Sequence, residues 1–257
     1  MPITKATPFE LHFDPIGDVL DAAKDCEAEV FLRAYGNTRD EIADEYGPYE
    51  DSSAFIALTD ERGDVVAETR MITPSAAGLK TLNDTSRAPW HIDGYRAARA
   101  AGIDLTQTWD VATVGVRANA LRGTGLKAAV AMYFAIVAGT RANDLRWLVM
   151  LMDERARRLL SSLALPTHIL PGTWPGDYMG SSACTPLWSD VLIGMDQQRI
   201  QNPEAHRLVS MGAGLDGISV PGPGGFKLRG RRLAPLPATV TAIEAAVVEQ
   251  ASLLESA

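Results

Sequence analysis

The hydrophobic and polar positions in the first fifth of the chain predict helices. Apolar residues recur every three or four positions over 16–34, which predicts one or two amphipathic helices with acidic residues on the exposed side. Thr38 is followed three positions later by Glu41, the spacing of a capping box. A short helix is therefore expected to begin after Thr38 and to break at Gly47.

The pattern then predicts strands and helices in alternation. Two strand-like runs, 53–59 and 65–72, flank a glycine-bearing link of hairpin length, so they are expected to form an antiparallel hairpin. A strand, an apolar helix, a buried strand and a helix capped by Asp153 are predicted at 108–116, 125–140, 145–152 and 153–164. This order of elements is typical of an α/β layer fold with a mixed sheet.

The remaining segments have weaker patterns. Residues 73–106 contain scattered apolar anchors without a clear period, which favours a loop-rich functional cover or lid. The run 185–193 is strand-like, and a Gly/Pro-rich linker at 220–225 precedes a final helix predicted at 237–254. We therefore predict a core domain at 1–197 and an appendage at 198–257 that packs on it.

Composition restricts the class of protein. The chain has 257 residues, 46% of them hydrophobic and 22% charged, as in an ordinary globular protein with a sizeable core. Its formal net charge of −8 argues against nucleic-acid binding, which needs a concentrated surplus of Lys and Arg. Cys26 and Cys184 are expected to be free thiols in a reducing cytoplasm, because their spacing fits neither a disulfide framework nor a metal site. The scattered histidines suggest no metal, and neither a signal peptide nor a membrane span is predicted.

The segment between the strand 108–116 and the next helix has the composition of a phosphate-binding loop. It reads Arg122-Gly-Thr-Gly-Leu-Lys127 and opens an apolar helix. A strand that ends in a glycine loop before a helix presents unpaired backbone N–H groups and the helix dipole to an anion. Gly123 and Gly125 would let phosphate approach the backbone closely, with Arg122 and Lys127 beside it.

The order Arg-x-x-Gly-x-Gly resembles the acyl-CoA pyrophosphate loop of the GNAT acyltransferase superfamily, with Lys127 in place of a final Gly or Ala. Three further segments resemble one branch, the acyl-homoserine-lactone autoinducer synthases and the long-chain N-acyl amino acid synthases. They are the hairpin that closes on Arg70, the strand Trp109-Asp110-Val-Ala-Thr113, and the Tyr178-Met-Gly segment. Together these similarities cover roughly residues 28–195.

Two departures bear on the product. Asp110 stands where this branch has Glu, and Thr113 stands where the synthases have Arg, which argues against a homoserine-lactone product. The helix 153–164 lacks the Tyr that many GNAT acetyltransferases use as a general acid, and Ser161 and Ser162 occupy that neighbourhood. We therefore expect a different proton donor or none.

The resemblance implies a GNAT fold, a central mixed twisted sheet flanked by helices, in which the strand 108–116 splays away from the strand 145–152. It implies acyl-CoA or an acyl-phosphopantetheine carrier as co-substrate and no metal. The implied donor-binding residues are Val114, Gly115, Val116, Arg122, Gly123, Thr124, Gly125 and Lys127.

Two candidate catalytic residues follow, each with a structural alternative. Asp110 would remove the amine proton, or it would be a strand-edge Asp bonded to a neighbouring backbone N–H. Arg70 would contact an anionic substrate, or it would form a salt bridge with Asp51 or Glu68.

Other candidate residues concern binding. Trp174 and Tyr178 would form the wall of an acyl or acceptor pocket, or would pack in the core. The basic stretch 227–232 would be a solvated loop or a dock for an acidic acyl carrier protein.

The expected activity is N-acyl transfer from acyl-CoA or an acyl carrier protein to the amine of a small amino-acid-like metabolite. The alternatives are a non-catalytic GNAT-like module that binds acyl-CoA as a sensor or scaffold, and an O-acyltransferase on the same scaffold.

Overall fold

A mixed nine-stranded sheet runs through the part of the chain that the computed structural model describes, residues 9–118 and 125–229. The strands are β1 Phe9–Phe13, β2 Ser53–Asp60, β3 Val65–Ile72, β4 Thr108–Val116, β5 Trp147–Met152, β6 His168–Ile169, β7 Gly176–Tyr178, β8 Ser181–Asp190 and β9 Ile218–Ser219. Their order across the sheet is β6-β8-β5-β4-β3-β2-β1-β9, with β7 paired to β8. Neighbouring strands are antiparallel except for the pairs β4–β5 and β1–β9, so the mixed sheet expected from the sequence is confirmed.

Helices cover both faces of the sheet. They are α1 Asp18–Tyr35, α2 Arg39–Tyr46, α3 Lys80–Asp84, α4 Gly94–Ala100, α5 Gly125–Ala142, α6 Glu154–Ser162, α7 Val191–Gln201 and α8 Pro203–Ala205. The larger apolar core packs α5 and α6 against one face. Smaller clusters pack the helices α1, α2, α3 and α4 against the other face. In the described ranges, no helix has both the length and the apolar character required to cross a bilayer.

Local sequence signals account for the ends of two helices. The hydroxyl of Thr38 accepts a hydrogen bond from the backbone N–H of Glu41, whose carboxylate accepts from the Thr38 N–H, completing the predicted capping box of α2. The Asp153 carboxylate accepts from the Ala156 N–H and begins α6 as expected. The apolar surface of α5 is buried on several sides, which also agrees with its sequence pattern.

The central strand β4 contains a β-bulge, and it stops pairing with β5 partway along its length. It pairs with β3 from Asp110 to Val116, but Arg70 is opposite Thr113 and Met71 is opposite Val111, so Ala112 is an extra residue. Its pairing with β5 covers only Thr108–Val111. The splay that the resemblance implies between these two strands is therefore present after Val111.

The structure differs in detail from two sequence predictions. The segment 73–106 contains α3 and α4, whose apolar residues form a buried cluster with Val149 of β5, so it is more regular than predicted. The strand predicted at 185–193 is β8, Ser181–Asp190, because the Asp190 carboxylate caps α7 and turns the chain into a helix.

The structure describes only part of the C-terminal region for which predictions were made. The helix predicted at 237–254 lies outside them. Residue 198 lies within α7, and Ile218 and Ser219 pair with β1 in the main sheet. The division into 1–197 and 198–257 stays a prediction.

A buried group of charged residues fixes α1 to the sheet beside the bulge. The Arg70 guanidinium donates from Nε to Glu27 Oε1 at 2.9 Å and from Nη2 to Glu27 Oε2 at 2.6 Å. Its Nη1 donates to Glu50 Oε2 at 3.1 Å. The salt-bridge partners predicted for Arg70, Asp51 and Glu68, were therefore wrong, because α1 and the turn before β2 supply nearer carboxylates.

Glu68 is buried in the same group and forms no ion pair with any residue of the described ranges. Its Oε2 accepts from Thr113 Oγ1 at 3.1 Å, while Oε1 accepts no hydrogen bond within the described residues. Burial, and then the negative charge of Glu27, raise the pKa of Glu68 well above its ordinary value. Glu68 is therefore protonated in the folded protein at a pH where the unfolded chain has already ionised it.

We predict that the free energy of unfolding falls as pH rises from about 5, and that Glu68→Gln removes part of this fall. The unfolded state binds fewer protons than the folded state until pH passes the raised pKa. One such proton changes stability by about 1.4 kcal/mol per pH unit. Urea unfolding of Glu68→Gln should thus give the shallower dependence on pH.

The matched control is Glu61→Gln in the exposed hairpin turn, which should reproduce the slope of the parent protein. Parallel slopes for the parent protein and Glu68→Gln would contradict the assignment.

Candidate functional site

The divergence of β4 and β5 creates a cavity on each face of the sheet. Because successive side chains of a strand point to opposite faces, Asp110 lies on one face and Val111 on the other. The polar cavity has a wall of acidic, aromatic and small side chains: Phe31, Tyr35, Tyr46, Lys80, Thr81, Asp84, Asp110, Ala112, Leu151, Asp153, Tyr178, Met179, Ser181 and Cys184. The apolar cavity is lined mainly by α5, β5, α6 and α7.

Asp110 forms the buried end of the polar cavity. Its side chain is fully buried, and it accepts hydrogen bonds from the backbone N–H of Thr81 and, at 2.8 Å, from Thr81 Oγ1. Burial raises the pKa of Asp110 to about 7, although these hydrogen bonds oppose the shift. A carboxyl group with that pKa can exchange a proton near neutral pH.

A dense hydrogen-bonded network lies next to Asp110. The Lys80 ammonium donates to Glu45 Oε1, Asp84 Oδ2 and the Tyr178 hydroxyl, each at 2.6 Å. Tyr178 in turn donates its hydroxyl proton to Asp84 Oδ2 at 2.6 Å. This network fixes α3 to α2 and to β7, so it shapes one wall of the cavity.

The opposite wall is formed where β5 ends. Asp153 follows β5, and its Oδ2 accepts the Tyr35 hydroxyl at 2.7 Å. Burial, then the hydrogen bond and charge of Asp153, raise the pKa of Tyr35, so this phenol holds its proton. Cys184 is a buried free thiol in the same wall, and burial raises its pKa to about 12. Such a thiol is inert, as expected from the sequence.

The apolar cavity is almost free of polar groups. Its lining residues are Val111, Tyr133, Ile136, Val137, Leu148, Met150, Met152, Leu160, Leu165, Thr167, Ser189, Val191, Gly194 and Met195. It encloses about 50 Å³ and lies between α5 and the sheet. A cavity of this composition favours a hydrocarbon chain over a polar ligand.

The second half of β4 faces a gap. Arg117 N donates to Val66 O at 2.9 Å, and such bonds involve every second residue of an antiparallel pair. The backbone groups of Val114 and Val116 therefore point away from β3, toward the side that β5 has left. A Cβ at Gly115 would overlap Glu68 Oε1, so the packing of β4 against Glu68 also requires a glycine at this position.

The structure brings some of the predicted site residues together. Asp110 and Tyr178 line the same cavity, while Trp174 does not and instead accepts the Trp90 indole N–H on its backbone carbonyl at 2.7 Å. Arg70 lies in the ion pairs with Glu27 and Glu50 and does not line either cavity.

The predicted phosphate loop is described in part. Gly125 is the first residue of α5, and Lys127 lies half-buried in its first turn. Arg122, Gly123 and Thr124 lie outside the described residues. The role of this loop stays a prediction.

Sequence reasoning missed Lys80, Asp84 and Tyr35 as cavity residues. Lys80 and Asp84 are four positions apart, which is the spacing of a helical ion pair and a signal that was available. Their helix has only five residues, however, and so has no detectable apolar period. In the described parts of the chain, no cluster of His, Cys, Asp and Glu is arranged to hold a metal ion.

Known structures share this architecture, although no protein-family model and no curated protein sequence matches the chain. The acyl-homoserine-lactone synthase LasI aligns with a TM-score of 0.50 and 13% identity over 71% of this chain and 89% of its own. FeeM, an N-acyl amino acid synthase from uncultured soil microbes, aligns with a TM-score of 0.51 and 12% identity over 74% and 94%.

A third similar structure is that of BjaI, a CoA-dependent acyl-homoserine-lactone synthase determined with MTA. It has a TM-score of 0.54 and 14% identity, and the alignment covers 85% of this chain and 96% of BjaI. At sequence identities this low, the alignments show a similarity of fold and nothing more. The chain has the GNAT fold expected from its sequence, in the form found in the autoinducer synthases and the N-acyl amino acid synthase.

Proposed function

We propose that this protein is an N-acyltransferase that moves an acyl group from acyl-CoA or an acyl carrier protein to the amine of a small acceptor. The observation that carries the proposal is the gap between β4 and β5, which has an apolar cavity on one face and a polar cavity with a titratable carboxyl on the other. Amino-acid-like metabolites are the acceptor class that the sequence resemblance implies.

The thioester would lie in the gap. Backbone groups of Val114 and Val116 face it and can bond to the amides of the pantetheine arm, as strand backbone does with an added extended chain. The helix α5 begins at Gly125, and the N–H groups and dipole at the start of a helix suit the phosphates of the donor. No metal is required, because the donor is already an activated ester.

In the proposed step the amine nitrogen attacks the thioester carbonyl carbon. The C–N bond forms, the C–S bond breaks, and the donor leaves as a thiolate. Asp110 accepts the proton lost by the nitrogen, directly or through one water molecule, because its raised pKa brings it near the working pH. The thiolate needs no proton from Tyr35, whose raised pKa makes it a poor acid.

The acyl chain would occupy the apolar cavity. Val111 and Met150 form the last β4–β5 pair and also line this cavity, so its wall begins at the gap. Each buried methylene contributes about 0.8 kcal/mol, so donors longer than acetyl should be favoured until the cavity is filled.

We predict that Asp110→Asn lowers kcat/KM for acyl transfer about 10²- to 10⁴-fold, because the base is lost while the shape is kept. In the parent protein kcat/KM should rise with pH through about 7 as Asp110 ionises, and the variant should lose that rise. Thiol release from acyl-CoA with a mixture of small amines, followed across pH 5 to 9, measures both effects.

The matched control is Asp177→Asn, an exposed carboxyl next to Tyr178 that does not line the cavity. A full rate for Asp110→Asn, with the pH profile unchanged, would exclude Asp110 as the base.

We also predict that Ile136→Phe, which fills the apolar cavity, shifts donor preference toward short chains. With acetyl-, butyryl-, hexanoyl- and octanoyl-CoA, the parent protein should gain about fourfold in kcat/KM per added methylene while room remains. The variant should lose this gain for the longer donors and keep its rate with acetyl-CoA.

Ile200→Phe on the exposed surface of α7 makes the same substitution outside the cavity and should leave the series unchanged. An identical donor series for both variants would place the acyl chain elsewhere.

A further inference from the structure

The polar cavity has an excess of negative charge. Its lining includes the three carboxyl groups of Asp84, Asp110 and Asp153, and among the described residues of the lining Lys80 is the one cationic side chain. Outside the lining, Glu45 adds a fourth carboxylate in contact with Lys80, and Arg87 adds one more cation that pairs with Glu45 and Asp84. Four carboxyl groups thus share two cations. A ligand that enters this cavity therefore meets a wall that attracts cations and repels anions.

Lys80 has no hydrogen left to bind an acceptor's carboxylate. An ammonium group has three N–H donors, and those of Lys80 point to Glu45, Asp84 and Tyr178. Lys80 is also 3% exposed, so it cannot turn toward a ligand without leaving buried carboxylates unpaired. Among the described residues that line the cavity, nothing else can pair with a carboxylate by charge.

Asp84 has a buried oxygen that accepts no hydrogen bond from the described residues. Its carboxyl is 1% exposed, and its Oδ1 accepts no hydrogen bond from any described residue, whereas Oδ2 accepts from both Lys80 and Tyr178. Arg87 Nη1 forms a long ion pair with Oδ1 at 3.7 Å, beyond hydrogen-bond distance, and the Arg87 side chain is mostly exposed. A buried carboxylate oxygen without a donor is costly, and a bound ammonium would satisfy it.

Aromatic rings in the wall add to this preference. The lining contains Phe31, Tyr35, Tyr46 and Tyr178. Lys80 Nζ already lies 5.0 Å from the centre of the Tyr46 ring and 5.4 Å from that of Tyr178, within the range of cation–π attraction. Rings beside carboxylates are a setting that suits a ligand ammonium.

We propose that the acceptor of this enzyme is a diamine, an amine that carries a second positive charge in place of the carboxylate of an amino acid. Its ammonium end binds at Asp84 and the aromatic wall, while its other nitrogen, as the free amine, faces the gap beside Asp110. This inference rests on the proposed acyl transfer for its chemistry, but the preference for a cation can be measured without turnover.

Three probes with four-carbon chains test it on the full-length protein: 1,4-diaminobutane, 1-aminobutane and 4-aminobutanoate. They keep one amine and change the other end from positive to neutral to negative. Calorimetric titration should give the tightest binding for the diamine, at least about tenfold tighter than 1-aminobutane, with 4-aminobutanoate the weakest. The same three amines, with butyryl-CoA as donor, should give N-acylated product in the same order of kcat/KM.

Asp84→Asn tests the location of the ammonium. It should reduce the preference for the diamine over 1-aminobutane to about threefold or less, since the charge that holds the second nitrogen is gone. Asp196→Asn, an exposed carboxyl on α7, is the control and should leave the preference unchanged. If Asp84→Asn does not fold, the probe series on the parent protein still decides the question.

The outcomes separate the two proposals. Binding of the diamine in the expected order without any acylated product would uphold the cation preference and overturn acyl transfer. Product formed from 1-aminobutane or 4-aminobutanoate at least as well as from the diamine would overturn the diamine proposal and uphold acyl transfer. Failure of all three probes to bind, or equal binding of all three, would also overturn the diamine proposal.

Discussion

The short pairing between β4 and β5 is the constraint on which the site depends. Four residues of each strand pair, Thr108–Val111 with Trp147–Met150, and the β-bulge at Ala112 then keeps β4 on β3 while β5 stays with β8. The Tyr46 hydroxyl donates to the Ala112 carbonyl at 3.3 Å, so α2 holds the bulge from one face. Continued pairing would close the gap and remove both cavities.

The bulge also determines which side chains of β4 point toward the helices on each face of the sheet. The extra residue restarts the alternation of β4, so that Val114 and Val116 pack on the α5 side while Thr113 bonds to Glu27 and Glu68 on the α1 side. Burying charges there costs free energy unless they are paired. The bidentate contact between Arg70 and Glu27 supplies that pairing and joins β3 to α1.

Two carboxyl groups of the sheet have no such cation in the part of the chain that the structure describes, and their protonation reflects it. Glu68 has one hydrogen bond and a negatively charged neighbour, and Asp110 has two donors from Thr81 but no contact with a positive group. Burial therefore raises the pKa of both. At Glu68 the result is a neutral acid inside a structural cluster, and at Asp110 it is a group that titrates beside a cavity.

The elements with long, regular patterns could be predicted from the sequence. The hairpin β2–β3, the strands β4 and β5, and the helices α5 and α6 each have a clear period or a capping residue. Asp110 could be identified as a candidate because the strand Trp109-Asp110-Val-Ala-Thr113 resembles a strand of the autoinducer synthase branch. Its surroundings could not, because they come from short helices and from residues far along the chain.

Two contacts illustrate why the surroundings of the site could not be predicted from the sequence. Arg70 pairs with Glu27, 43 positions earlier, although nearer carboxyl groups were available in the sequence. Lys80 bonds to Tyr178, 98 positions later. The packing of whole layers determines such pairs. Local periodicity in the sequence gives no information about which distant residues that packing brings together. The strand β8 ended early for a local reason, since the Asp190 carboxylate begins a helix there.

The charge of the polar cavity also links acceptor binding to the state of the base. Near pH 7 Asp110 is divided between its protonated and ionised forms, because burial penalises the charge. A positive charge within a few ångströms favours the ionised carboxylate. A diamine held at Asp84 would place that charge in the cavity shared with Asp110. Binding of the acceptor would thereby lower the pKa of Asp110 and produce the base at the moment it is needed, whereas an amino acid would bring its own negative charge and oppose that change.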